Sequence, residues 1–138
     1  MKLRLKGNSI RLRLGQTEVR RLASGEVVEE STVFGPSQQE CFAYALCASP
    51  EALEVSANFT DRRLVIRVPT SMIHQWATTD QVGIQALQRT GIDEGLSILI
   101  EKDFECIDAP PGEAQEDAFP NPQLEAACRP AGGMETSI

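Results

Sequence analysis

The chain has 138 residues and a formal net charge of −7, enough for one domain with its own core. No window approaches the ~20 consecutive apolar residues of a membrane-spanning helix, and the charged, alternating N-terminus lacks the apolar run of a secretory signal, so a cytoplasmic protein is expected. The acidic balance argues against non-specific nucleic-acid binding.

Residues 1–14, MKLRLKGNSIRLRL, alternate strictly on both sides of Gly7-Asn8. Leu3, Leu5, Ile10, Leu12 and Leu14 share one face, and Lys2, Arg4, Lys6, Arg11 and Arg13 share the other. This pattern predicts a β-hairpin in which Lys2 pairs with Arg13, Arg4 with Arg11 and Lys6 with Ser9. Thr17 is the expected N-cap of a short helix carrying Val19, Leu22 and Ala23, which Gly25 ends. Strands are expected over about residues 26–34, 40–48, 53–59 and 63–68, with turn signals between them. Phe42, Tyr44 and Leu46 share one face of their strand, and Cys41, Ala43, Ala45 and Cys47 the other. Leu53, Val55, Ala57 and Phe59 should face inward, as should Leu64, Ile66 and Val68. Pro69 opens a second helix with Met72, Ile73 and Trp76 on its apolar face. Two last strands are expected over 82–87 and 96–103. The domain is expected over 1–108. The acidic, Pro- and Gly-containing tail, 109–138, is too poor in apolar residues to order itself, docking of Phe119 aside. No internal repeat is visible. The fold class is mainly β (α+β): an antiparallel meander of about seven to eight strands, barrel-like or highly curved, with two short helices.

Residues 1–21 hold seven of the thirteen basic residues, and residues 93–117 hold nine acids and one base. Like charges directly opposite one another destabilise a sheet face, so the stripe of Lys2, Arg4, Arg11 and Arg13 requires an answer. It is a candidate anion site, because Arg donates in a fixed fork and Lys supplies a point charge. The other answer is the acidic run Glu101, Asp103 and Glu105, expected within about 4 Å of those four cations, since the last strand of a closed meander lies beside an early one. Glu101 and Asp103 are also candidate metal ligands, since clustered carboxylates hold Mg²⁺ and a phosphate can bridge metal and cations. The four cysteines show no metal-ligand spacing. Cys41 and Cys47 read as small buried residues, and Cys106 as the one candidate reactive thiol. The single histidine, His74, lies on the second helix as a surface or core-edge residue, so no Ser-His-Asp or Cys-His constellation is formed. The sequence requires no cofactor.

Several stretches resemble a family of small bacterial proteins known only as a domain of unknown function. They are MKLRLKGNSIRLRL, TEVRRL, GEVVEESTVFG, FAYAL, the segment around Trp76 and Asp80, ILIEKDFECID and FPNP, in order over residues 1–122. The resemblance brings no activity. Residues 2–30 are also similar to the swapped-hairpin DNA-binding domains of AbrB-type regulators and MazE-type antitoxins: basic strand, G-N-S, alternating strand, short helix. That similarity implies DNA binding through the hairpin.

The expectation is a non-catalytic binding or accessory protein whose partner is a protein or a small anion. A homodimer is compatible with it. One alternative is a metal-assisted enzyme or binder of phosphate compounds that uses the basic hairpin face with Glu101 and Asp103. The other is DNA binding through the hairpin.

Overall fold

The computed structural model describes residues 1–92, 94–104 and 117–120. Its elements in chain order are β1 (Lys2–Lys6), β2 (Ser9–Leu14), α1 (Gln16–Ala23), β3 (Val28–Val33), β4 (Cys41–Ser49), β5 (Ser56–Thr60), β6 (Arg63–Pro69), α2 (Thr70–Thr78), β7 (Gly83–Gln88) and β8 (Leu96–Lys102). The first hairpin has the expected register, with Lys2 opposite Arg13, Arg4 opposite Arg11 and Lys6 opposite Ser9. Gly7, at φ 53°, supplies the left-handed position of its two-residue turn.

The single antiparallel meander is not what forms. Two four-stranded sheets form instead, in the orders β1-β2-β8-β7 and β3-β4-β6-β5. The middle pair of each, β2 with β8 and β4 with β6, is parallel. Period-two patterning fixes which side chains share a face but carries no information on which strand lies next to which.

The inner faces of both sheets share one core. Ile10, Leu12, Leu14, Ile84, Ile98 and Ile100 enter it from the first sheet, and Val28, Leu46, Leu64, Ile66 and Val68 from the second. The sheets also meet at their edges. The Gln88 side chain on β7 accepts from the Ala57 N–H and donates to its C=O at 2.9 Å, so it serves the backbone of edge strand β5 as a neighbouring strand would. Val19 and Leu22 of α1, with Ile73 and Trp76 of α2, join the same core. Trp76 is fully buried and its indole N–H donates to the Val82 C=O at 2.9 Å. Met72, expected on the apolar face, is exposed. Leu53 is 97% exposed and Phe59 62%, because the strand begins only at Ser56 and Phe59 lies at its open end. Cys41 and Cys47 are half-buried rather than buried, since their face points away from the core. Among the described residues no helix is long and apolar enough to cross a membrane.

The strand orders contain a repeat. Hairpin β1-β2, helix α1 and hairpin β3-β4 are followed by hairpin β5-β6, helix α2 and hairpin β7-β8. Exchanging the first set for the second turns one sheet's order into the other's. From β1 to α1 the match with β5 to α2 runs residue for residue, without insertion. Ile10, Leu12, Leu14, Val19 and Leu22 correspond to Leu64, Ile66, Val68, Ile73 and Trp76, and all ten are buried. Each sheet therefore takes its first hairpin from one half of the chain and its second from the other.

Helix α1 is capped differently from the expectation. Gly15 is its N-cap, not Thr17. Asp117, from the segment expected as tail, sits at the helix N-terminus: the Thr17 N–H donates to its carboxylate at 3.1 Å and the Thr17 hydroxyl at 2.7 Å. The Gln16 N–H donates to the Asp117 backbone C=O at 2.7 Å. The helix dipole favours a carboxylate there. A Cβ on Gly15 would stand 2.8 Å from that same C=O, so glycine is what admits the segment. Phe119 docks as well, its ring centroid 5.9 Å from that of Phe104. Glu105, Cys106, Cys128 and all of the expected tail but residues 117–120 lie outside the described residues.

Candidate anion-binding face

Alternation puts Lys2, Arg4 and Lys6 of β1 on the outer face of the first sheet, beside Arg11 and Arg13 of β2. Parallel pairing then places Glu101 of β8 directly across from Arg13, with Arg11 next to Leu99. Glu101 Oε1 accepts from Arg13 Nε at 3.0 Å and also pairs with Arg11. Lys2 Nζ lies 3.0 Å from Asp103 Oδ2. The expected covering of the basic stripe by the last strand is thus present, through a parallel neighbour. Glu101 is only 14% exposed, so its charge is held close to the two guanidinium groups.

The covering is incomplete. Five cations lie on this face against the two carboxylates of Glu101 and Asp103. Arg4 and Lys6 are exposed, and among the described residues neither makes an ion pair. Both stand on an edge strand, where a further extended segment has access to the backbone. Of the four candidate anion-site residues, Lys2, Arg11 and Arg13 are engaged within the protein, and Arg4 has no ion-pair partner among the described residues. Lys6 is a fifth cation on the same face. The two candidate metal ligands, Glu101 and Asp103, are both engaged by cations. Among the described residues no group of three or more His, Cys, Asp or Glu side chains is placed to hold a metal ion.

Two other charged groups lie inside the fold. The Met1 amino group pairs with Glu18 and Glu30, and the Met1 C=O accepts from the Tyr44 hydroxyl at 2.9 Å. Burial alone lowers the pKa of that amine. The hydrogen bonds and charges of the two carboxylates outweigh it, so the group stands above the ordinary 8.0. Lys102, nearly buried, donates to the Thr79 C=O at 2.7 Å and lies 5.5 Å from the centroid of the Phe119 ring. Burial pushes it below the usual lysine value, against the opposing charge of Asp80. His74 is exposed at the α2 surface, with Nε2 3.2 Å from the Ala23 C=O.

The helices cover the sheets where β2 and β6 end. The opposite end, at the hairpin tips, holds an open apolar groove of about 350 Å³. Leu5, Ile10 and Leu96 line it from the first sheet, and Phe42, Phe59 and Leu64 from the second. Sequence reading missed it because it depends on two strand ends from different sheets meeting.

The model of a family of unknown function, DUF7009, matches residues 1–123. No curated protein and no solved structure matches the chain.

Proposed function

The chain belongs to DUF7009, a family that brings no activity with it, and from the chain's own geometry we propose a non-catalytic binding protein that takes an acidic segment of a partner protein on β1. One observation carries this reading: among the described residues Arg4 and Lys6 make no ion pair on their exposed edge strand, while Lys2, Arg11 and Arg13 beside them are held by Glu101 and Asp103. The held cations fix the face, and the other two are available to carboxylates. An extended partner adding to β1 gains main-chain hydrogen bonds, and its acids meet Arg4 and Lys6.

The test is a titration with a hexaglutamate peptide at two salt concentrations. Binding should weaken with salt, and the Arg4→Gln/Lys6→Gln double variant should bind at least about tenfold more weakly, the loss of roughly 1.4 kcal/mol or more. Equal binding by the parent and the variant removes the reading.

DNA binding through the hairpin, suggested by the AbrB- and MazE-like stretch, is disfavoured by how the charges fall on the repeat. Lys2, Arg4, Lys6, Arg11, Arg20 and Arg21 correspond to Ser56, Asn58, Thr60, Val65, His74 and Gln75. Of the first hairpin's five cations only Arg13 has a basic counterpart, Arg67, so the second hairpin, with Arg62, Arg63 and Arg67, does not repeat the basic stripe. The phosphate and metal reading requires Glu101 and Asp103 to be released from the cations that hold them.

A further inference from the structure

We infer that the chain is a tethered pair of interlocking half-modules, and that the surface each half presents to the other also fits a second copy of this chain. The partner is the same sequence, joined by exchange of halves. The inference is independent of the anion-binding reading.

Strand pairing within either half stops at its own hairpins. In the first half β1 pairs with β2 and β3 with β4; in the second, β5 with β6 and β7 with β8. The pairings that join hairpins into sheets, β2 with β8 and β4 with β6, both cross between halves. The core is built in the same way, with Leu12 beside Ile100 on one sheet and Leu46 beside Ile66 on the other. Either half alone would leave these inner faces open to water. Only the linker between Ser49 and Ser56 decides that the completing half comes from the same chain. Its Pro50, Glu51, Leu53 and Glu54 are exposed, Leu53 at 97%, and Val55 alone among those between the strands is buried. Such a chain exchanges at low cost, because every native contact is recovered in the exchanged form and only the linker changes.

The geometry of the linker supplies the test. Strands β4 and β5 flank β6, about 10 Å apart at two strand spacings. Deleting Glu51–Glu54 leaves Pro50 and Val55, a reach of about 11 Å over three Cα steps. That is too short to pass around the end of β6, so the completing half must come from another copy. The full chain with this deletion should be a dimer by light scattering, with the far-ultraviolet circular dichroism of the parent. In a second arm, a protease site is placed between Ala52 and Leu53 of the otherwise intact chain, and the folded protein is cut there. The two pieces should elute together. When tagged and untagged cut proteins are mixed, unfolded and refolded, hybrids of a tagged first half with an untagged second half should form. A folded, monomeric deletion variant overturns the inference. So do cut halves that separate in native buffer, or a refolded mixture without hybrids, whether or not the deletion variant folds.

Discussion

At the scale of single residues, the two equivalent turns solve the same problem with unequal chemistry. Gly7 takes the left-handed conformation of the first hairpin without a Cβ penalty, whereas Asp61 and Arg62, at φ 52° and 62°, take it in the second. The only side-chain hydrogen bond of Arg62 among the described residues is an exposed one from Nη1 to Gln39 Oε1 at 3.1 Å, which contributes little. Arg62→Gly should therefore stabilise the protein by about 1 kcal/mol. Urea unfolding reads the change, and a lower midpoint would show that the arginine side chain outweighs its backbone strain.

At the scale of elements, α1 is short, and its first turn depends on a distant carboxylate. Asp117 accepts from the Thr17 N–H and hydroxyl, while Glu18 accepts from the Gly15 N–H at 3.0 Å. Asp117→Ala should cost about 1–2 kcal/mol, the loss of a good N-cap acceptor. Thermal unfolding checks it, with Asp117→Asn, which keeps an acceptor oxygen, losing less than Asp117→Ala. Equal loss in the two variants would place the contribution in the backbone contact of Gln16 with Asp117 instead. The helix itself was legible from Val19, Leu22 and Gly25. The carboxylate that serves its first turn was not, because Asp117 lies a hundred positions from Thr17 in a stretch whose composition reads as tail.

At the scale of the molecule, the paired Met1 amine makes stability depend on pH. Its folded pKa lies above the 8.0 of the unfolded group. The stabilisation is therefore fully present below pH 8 and is lost as pH rises through the folded value. Lys102 works oppositely, since its folded pKa is lowered and the protein gains stability from it as pH rises towards 10.5. Comparing the parent with a Glu18→Gln/Glu30→Gln variant isolates the amine below about pH 9, because Lys102 is common to both and the Tyr44 hydroxyl, which burial and the same two carboxylates raise above 10.0, does not yet titrate there. Denaturant midpoints from about pH 7 to 9 should fall more steeply above pH 8 in the parent, and parallel curves would contradict the assignment.

At that scale the sequence shows faces well and neighbours poorly. The hairpin register, the inward Leu12, Leu14, Leu46 and Leu64, and the meeting of Arg13 with Glu101 follow from alternation and charge, which are local or additive properties. The repeat is hard to read in the sequence because its halves share mainly buried apolar positions, Leu12 with Ile66 or Leu22 with Trp76. Their outer faces keep little likeness beyond Arg13 with Arg67, as Lys2 against Ser56 and Arg11 against Val65 show. Hydrophobic burial tolerates many residues at one site, so a duplicated core leaves a shape rather than a spelling. The open apolar groove escaped for the related reason that it joins ends of strands from both halves.

The crossing of hairpins between halves also governs how the protein is made. As the chain leaves the ribosome, β1 to β4 are complete while the strands they require are still unsynthesised. Both hairpins can close early, since their contacts are local, but Ile10, Leu12 and Leu46 must wait in water for Ile98, Ile100 and Ile66. The pairing of β2 with β8 closes a loop spanning most of the described chain, which makes its formation slow and late. Until then the nascent first half is a sticky, half-finished sheet pair, and its nearest source of a matching surface on a crowded polysome is the second half of a neighbouring copy.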